Sequence, residues 1–190
     1  MITNKMLVDF CEAAIKKPSL YMWGTYGRVI TRSILDAKIK QYPKNYSEAR
    51  QKFLLSHIDG KTVGCDCAGL IKWALWTGGN INDKIKYDSK TDRNTTGLYN
   101  AATIKGPLAV LPEIPGLILY KKGHVGVYLG KGYVAECTLG ARGDGIVKTK
   151  LTDTDWTHWM KIPEVMYVEN TTTSKKKVSL LERLGRLFLK

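Results

Sequence analysis

The chain has 190 residues, of which 44% are hydrophobic and 25% charged, a composition typical of one soluble globular domain with at most a small appendage. It excludes collagen, low-complexity disorder and a disulfide-rich miniprotein. No segment approaches the roughly 20 consecutive apolar residues that a membrane-spanning helix needs. Residues 1–9 lack the basic-then-apolar order of a secretory signal peptide, so we expect synthesis in the cytoplasm without one.

The charge balance indicates an anionic partner. Lysine and arginine outnumber aspartate and glutamate 30 to 17, which gives a formal net charge of +13. Nucleic acid, an acidic membrane and phosphate-bearing wall polymers would each attract such a chain. The basic residues are scattered and no motif that reads RNA or DNA accompanies them, so we do not expect nucleic acid as the partner.

The first half of the chain has the hydrophobic spacing of helices. Met6 to Ala14 carry apolar residues at helical intervals, with Thr3 or Asn4 as the N-cap. Further helical patterns cover residues 29–39, 48–58 with Ser47 as the cap, and 66–76. The last of these segments is apolar nearly all round, which predicts a helix buried inside the protein.

The second half has the patterns of strands. Residues 80–115 are polar and rich in Gly and Pro, which predicts a long connection with little regular structure. Strand patterns follow at residues 117–120, 125–129, 133–137, 146–151 and 165–168. Helices first and strands later, with short strand connections, predict an α+β fold with an antiparallel sheet.

The sequence pattern predicts that the C-terminal tail is a separate unit. Residues 170–177 form a polar linker, and the following segment places its leucines and Phe188 on one helical face. We therefore divide the chain into a domain over 1–169 and a basic linker with an amphipathic helix over 170–190. This helix would lie on an anionic membrane, contact a partner, or dock on the domain.

Cys67 is the strongest candidate for a catalytic residue. At the start of the buried helix, free backbone N–H groups and the helix dipole would favour its thiolate. A cysteine beside Trp and Leu is more often a small buried hydrophobe. Asp66 as a cap and Gly69 as a point of close backbone approach favour the functional interpretation, that of a nucleophile.

The other cysteines offer weaker hypotheses. Cys11, Cys65 and Cys137 form no CxxC pair with each other or with Cys67, and disulfides are not expected in a cytosolic product. A zinc site built from them with one histidine stays an alternative, although the ligand spacing is irregular.

His124 begins a predicted β-hairpin over residues 123–137. With a three-residue loop at 130–132, His124 and Glu136 become diagonal neighbours on one face. A two-residue loop would instead place Cys137 beside His124. The clean alternation of apolar and polar residues favours the first register, in which a carboxylate orients the imidazole as in a catalytic triad. Of the other histidines, we expect His57 to be a half-buried packing residue. His158 either has a structural role or lines a substrate groove.

Three motifs in order resemble the NlpC-type cell-wall cysteine peptidases, papain-like enzymes of bacteria and their phages. The Asp-Cys-Ser/Ala-Gly-Leu motif is matched by residues 66–70, and His-x-Gly-(Ile/Val)-Tyr-x-Gly-x-Gly by residues 124–132. Residues 21–24 match Tyr-x-Trp-Gly. The resemblance covers roughly residues 3 to 168, with an apparent helical insertion at about 29–60. The third catalytic residue of the family falls on Glu136, where His, Asn or Gln is usual.

The resemblance implies a papain-like fold and hydrolysis of a stem-peptide bond in bacterial peptidoglycan, between D-glutamate and the following diamino acid. Cys67 would be the nucleophile, His124 the general base and Glu136 its orienting partner, without metal or cofactor. The Cys67 N–H and the Tyr21 hydroxyl would stabilise the oxyanion. Further substrate-binding candidates are Asp66, Trp23 and His158.

Other functions stay open at this point. A muramoyl-L-alanine amidase or an acyl transferase would keep the same cysteine and histidine. A non-catalytic basic module that binds wall or nucleic acid would need neither. As a biological setting we expect a phage endolysin released through a holin, with delivery by a phage tail or a conjugation apparatus as alternatives. Contacts to anionic wall polymers or a membrane would involve the basic tail residues Lys175, Lys176, Lys177, Arg183 and Arg186.

Overall fold

The structure is a computed structural model that describes residues 1–168. The linker and amphipathic helix expected over 170–190 lie outside the described residues, as do Lys175, Lys176, Lys177, Arg183 and Arg186. Within residues 1–168, every helix is too short or too polar to cross a membrane.

Within the described part of the chain, five α-helices begin at side chains that cap them. They are α1 (Asn4–Ile15), α2 (Arg32–Gln41), α3 (Glu48–Leu55), α4 (Cys67–Trp76) and α5 (Thr95–Ala101). The capping side chains, which each accept a backbone N–H of the first turn, are Thr3, Thr31, Ser47, Asp66 and Asn94. The predicted helix starts at Thr3 and Ser47 are therefore present.

The strands of residues 1–168 form one large sheet and two small ones. They are β1 (Ile2–Thr3), β2 (Ser19–Tyr21), β3 (Tyr26–Val29), β4 (Val63–Cys65), β5 (Ile104–Pro107), β6 (Ile118–Lys121), β7 (His124–Gly130), β8 (Tyr133–Gly140), β9 (Gly143–Lys150), β10 (His158–Lys161) and β11 (Val165–Met166). The large sheet has six strands in the order β5-β10-β6-β7-β8-β9, and all its pairings are antiparallel. The predicted α+β class with an antiparallel sheet is confirmed.

Several predicted boundaries were wrong. The helix expected over 29–39 begins only at Arg32, because the preceding residues form β3 and pair with β4. The helix expected over 48–58 ends at Leu55. Residues 80–115 contain α5 and β5 rather than an irregular connection alone. Elements this short have no sustained hydrophobic period, so their pairing depends on distant partners.

Two terminal features also differ from expectation. The strand predicted over 165–168 is the two-residue β11, which pairs in parallel with β1 instead of joining the large sheet. The strand β10 was not predicted, although it lies between β5 and β6 in the large sheet. Its residues mix charged, aromatic and apolar side chains and therefore lack a clean alternation.

Helix α4 lies in the centre of the main core, as its apolar sequence predicts. Nearly all its side chains are buried, and it packs against α1 and the large sheet. Phe10 of α1 meets Trp73 of α4 edge to face, with ring centroids 5.1 Å apart. Helices α2 and α3 contribute to a second, smaller core with Leu20 and Met22, which flank Tyr21. The helical segment is thereby packed onto the strand that carries Tyr21.

Candidate active site

Cys67 is the first residue of the buried helix α4, and the preceding Asp66 is its N-cap. One carboxylate oxygen of Asp66 accepts the Gly69 N–H at 2.6 Å, and the other accepts the Gly24 N–H at 2.8 Å. This side chain therefore caps the helix and also ties its first turn to the loop that follows Tyr21. The structure assigns Asp66 these two contacts, both with backbone.

The environment of the Cys67 thiol does not favour the thiolate, contrary to the prediction from its helix position. Burial, and to a smaller extent the nearby charge of Asp66, raises the pKa of Cys67 to about 12. Backbone N–H groups of Val125 and Ala68 act in the opposite direction but are outweighed. Desolvation therefore exceeds the stabilisation from the helix start, and the resting thiol is neutral.

Strands β7 and β8 place His124 and Glu136 together in the predicted register. Gly126 stands directly opposite Glu136, so His124 is the diagonal neighbour, and its Nε2 lies 2.6 Å from Oε2 of Glu136. The connecting loop differs from the three-residue prediction. Lys131 and Gly132 form a two-residue turn with φ of 51° and 76°, and an irregularity between Tyr128 and Gly130 restores the expected register.

The Glu136 carboxylate is fully buried yet well supplied with donors. Its Oε1 accepts the hydroxyls of Thr149 at 2.7 Å and Thr154 at 3.3 Å, and Arg142 Nε lies 3.3 Å away. Burial alone would raise the pKa of Glu136, but the hydrogen bonds from His124 and Thr149 and the nearby positive charges hold it below its ordinary value. The side chain is therefore an ionised partner for the imidazole.

Helix α4, which begins at Cys67, packs against strand β7, which begins at His124. The backbone N–H of Val125, the residue after His124, is close enough to the Cys67 sulfur to act on the pKa of that thiol. Because Nε2 of His124 is bound to Glu136, its Nδ1 is the nitrogen left to exchange a proton with a neighbouring group. Such an arrangement can perform general-base activation of a thiol.

A cleft of about 310 Å³ opens beside His124. Its lining residues are Tyr21, Trp23, Asn45, Tyr46, Arg50, His124, Thr138 and Leu139. Trp23 and Leu139 are 40% and 53% exposed and form an apolar rim. Burial, followed by the proximity of Cys67, raises the pKa of Tyr21 above its usual range, so its hydroxyl stays protonated as a donor close to the thiol.

Five lining residues were not singled out from the sequence, and two of them, Thr138 and Leu139, lie on β8. Asn45, Tyr46 and Arg50 belong to the helical segment 29–60, which matches none of the recognised motifs. The only signal that pointed to them was the position of this segment between the tyrosine loop and Cys67.

His158 is not brought to the cleft. Its ring on β10 packs edge to face against Tyr99 and Tyr120, with centroids 5.3 Å and 6.5 Å away, and it is absent from the cleft lining. The packing corresponds to the structural alternative for this residue. Cys11, Cys65 and Cys137 are buried free thiols. Over residues 1–168, histidine, cysteine and acidic side chains form no group of three or more that could hold a metal ion.

Comparisons with known proteins give structural neighbours only. No family model and no curated protein sequence matches the chain. It is similar to the peptidoglycan hydrolase RipB of Mycobacterium tuberculosis, with 20% identity and a TM-score of 0.49 over 86% of this chain and 65% of that one. It is also similar to NlpC2 of Trichomonas vaginalis, with 13% identity and a TM-score of 0.48 over 88% of this chain and 48% of that one.

A third similar structure is the P60 domain of an antigen from Mycobacterium avium subspecies paratuberculosis. The identity is 15% and the TM-score 0.47, over 84% of this chain and 96% of that domain. The chain thus spans less than two thirds of RipB and about half of NlpC2.

Proposed function

We propose that this chain is an NlpC-type cysteine peptidase that hydrolyses bacterial peptidoglycan. The observation that carries the proposal is the position of Cys67 at the start of α4, next to the strand on which His124 is bound to a buried, ionised Glu136. A nucleophile, a base and an orienting carboxylate are thereby placed on rigid elements, and the base lines a cleft. The sequence motifs around Cys67 and His124 support the same family.

The neutral resting thiol assigns the activation step to His124. Nδ1 of His124 takes the proton from Cys67 as the sulfur attacks the substrate carbonyl, and Glu136 stabilises the imidazolium that forms. The Cys67 N–H and the Tyr21 hydroxyl donate to the oxyanion, each worth about 3 kcal/mol. The imidazolium then protonates the leaving amine, and water activated by His124 hydrolyses the thioester and releases the acid.

For the substrate we propose the stem-peptide bond between D-glutamate and the following diamino acid. This choice rests on the family resemblance. Trp23 and Leu139 on the cleft rim offer apolar contacts for the peptide, while Asp66 acts through the backbone of the adjacent loop. The catalytic domain would cover residues 1–169, with residues 29–60 as an insertion.

The proposed setting is a lytic enzyme such as a phage endolysin, which reaches the wall after release from the cytoplasm. The net charge of +13 supports retention on a wall rich in anionic polymers. A muramoyl-L-alanine amidase or an acyl transferase on the same site, and a non-catalytic basic binding module, are the competing functions that the experiment must separate.

Digestion of purified sacculi tests the proposal. Wild-type protein should release soluble fragments, whereas Cys67→Ala should release none, and Cys11→Ala serves as the control for loss of a buried thiol. Mass spectrometry of the fragments identifies the bond from the new end groups: a free D-glutamate carboxyl and diamino-acid amine support the endopeptidase, and a free lactyl group supports the amidase. Equal release by wild type and Cys67→Ala would refute thiol catalysis.

A further inference from the structure

Helix α3 places Arg50 against the strand that carries Tyr21. Nη2 of Arg50 donates to the backbone carbonyl of Tyr21 and to Oδ1 of Asp144, the latter at 2.8 Å. The same Oδ1 accepts the backbone N–H of Tyr21 at 2.9 Å. Both polar groups of the Tyr21 backbone are thus bound by one ion pair, whose members come from α3 and β9.

These contacts occupy the side of β2 that faces away from β4, its parallel partner in the three-stranded sheet β2-β4-β3. The Met22 N–H donates to the Cys65 carbonyl at 2.7 Å, so the alternation of the strand turns the polar backbone groups of Tyr21 in the opposite direction. There they meet Arg50 and Asp144. One side of this short strand is therefore held by β4 and the other by the ion pair.

The ion pair is sufficiently buried to act as a rigid support. The side chains of Arg50 and Asp144 are 14% and 26% exposed, and the guanidinium bonds the carboxylate through both terminal nitrogens. A planar guanidinium that makes several bonds at once has little freedom to rotate. Arg50 and Tyr21 also line the same cleft, so a displacement of one changes the wall that contains the other.

We propose that Arg50 and Asp144 are positioning residues that hold the Tyr21 hydroxyl where the oxyanion develops. The inference rests on the proposed function and extends it to residues outside the recognised motifs. The helical segment 29–60 then contributes to the active site, because its helix α3 supplies Arg50. A donor set in place before reaction acts on the transition state, so its loss lowers kcat more than it raises KM.

Steady-state hydrolysis of a soluble stem peptide by Arg50→Lys and Asp144→Asn tests the proposal. Each substitution keeps much of the side-chain volume but breaks the paired contact with the Tyr21 backbone. We expect kcat to fall by about 10- to 100-fold with KM changed by less than about threefold. The same substitutions made in Tyr21→Phe should lower kcat much less, because the hydroxyl that Arg50 and Asp144 position is already absent.

Two controls separate positioning from general destabilisation. Ser19→Ala removes the hydrogen bond that the Ile146 N–H donates to the Ser19 hydroxyl, at the same contact between β2 and β9. Arg32→Ala removes an exposed ion pair with Asp36 on α2. Both should keep wild-type kcat even where the melting temperature falls. Assays are run well below the melting temperature of each variant.

The outcomes are distinguishable. Wild-type activity that survives Cys67→Ala refutes the proposed function itself. With thiol-dependent activity established, unchanged kcat in Arg50→Lys and Asp144→Asn overturns the positioning role. A rise in KM with unchanged kcat would also overturn it, because Arg50 would then be a substrate ligand. The same holds if the losses of kcat in the double variants with Tyr21→Phe equal the product of the losses in the single variants. If Arg50→Lys does not fold, Asp144→Asn decides the question by the same criteria.

Discussion

The imidazole of His124 lies almost parallel to the indole of Trp156, with ring centroids 5.3 Å apart and planes inclined by 13°. Gly126, two residues after the histidine, makes this possible, because a Cβ there would come within 3.0 Å of the Trp156 ring. Trp156 is buried and covers the face of the imidazole beside its bond to Glu136. The indole thus fixes the ring plane of the proposed base and limits access of water to the bond.

Substitution of Trp156 should therefore impair both stability and activity. In Trp156→Leu, loss of the buried ring leaves a cavity and frees the imidazole, so we expect unfolding free energy to fall by about 3 kcal/mol and kcat by about tenfold. Trp156→Phe keeps a stacking surface and should retain most of the activity. Urea unfolding and steady-state kinetics measure the two effects. Equal kcat in all three proteins would show that the stack does not orient His124.

Glu136 offers a test of the orienting carboxylate. Glu136→Gln keeps an oxygen that accepts from His124 but turns an amide towards Thr149 and Arg142, so we expect kcat to fall by about tenfold. Glu136→Ala leaves Arg142 without a carboxylate partner and the buried Thr149 hydroxyl without its acceptor, and should also lose about 3 kcal/mol of stability. Glu113→Gln, which alters a carboxylate bound to Tyr128 outside the site, is the control. Full activity of Glu136→Ala would refute the orienting role.

The lowered pKa of Glu136 predicts a specific acid sensitivity. Because the pKa in the folded state lies below its ordinary value of 4.5, the folded protein binds this proton less readily than the unfolded chain. The stabilisation is complete above that ordinary value and is lost as the pH falls through the folded-state pKa. Melting temperatures between about pH 6 and pH 3 should fall more steeply for wild type than for Glu136→Gln. Parallel curves would contradict this.

Local patterns were sufficient to predict the elements that carry the motif residues. The uninterrupted apolar sequence of α4 predicted its burial, and the alternation across the hairpin predicted that His124 and Glu136 share a face. Both depend on residues close together in the sequence or joined by one short turn. The α+β order of the chain follows from the same periodicity.

Contacts between distant segments could not be predicted in this way. Arg50 and Asp144 are 94 residues apart, and neither belongs to a recognised motif. The stacking of Trp156 on His124 likewise depends on how a loop returns to the sheet. The state of the Cys67 thiol was predicted wrongly because the helix start is a local property, whereas the desolvation that outweighs it comes from the whole core.

The raised pKa of Cys67 predicts slow alkylation of the resting protein. Its rate with iodoacetamide, followed by mass spectrometry of the Cys67 peptide, should keep rising above about pH 9 because little thiolate exists below that pH. Asp66→Asn removes a charge that raises this pKa but keeps an oxygen to cap α4, so alkylation should become faster. A plateau near neutral pH in wild type would instead indicate a resting thiolate paired with protonated His124.

Gly69 should be intolerant of alanine although it lies within a helix. Alanine normally stabilises a helix by about 1 kcal/mol relative to glycine. At Gly69, however, a Cβ would lie 1.9 Å from the backbone oxygen of Thr25, so α4 would have to move away from the loop after Tyr21. We expect Gly69→Ala to lower the unfolding free energy by about 2 kcal/mol and to reduce kcat, because Cys67 moves with the helix.

Gly97 provides the matched control. It is the third residue of α5, as Gly69 is of α4, and its N–H is likewise bound by the capping side chain, here Asn94. A Cβ at Gly97 would approach only side-chain atoms of Arg93 and Asn94, at 3.1 Å or more. Gly97→Ala should therefore be neutral or slightly stabilising in urea unfolding, and activity should stay at the wild-type level. Equal stability changes in the two variants would mean that the contact between α4 and Thr25 does not set the position of Cys67.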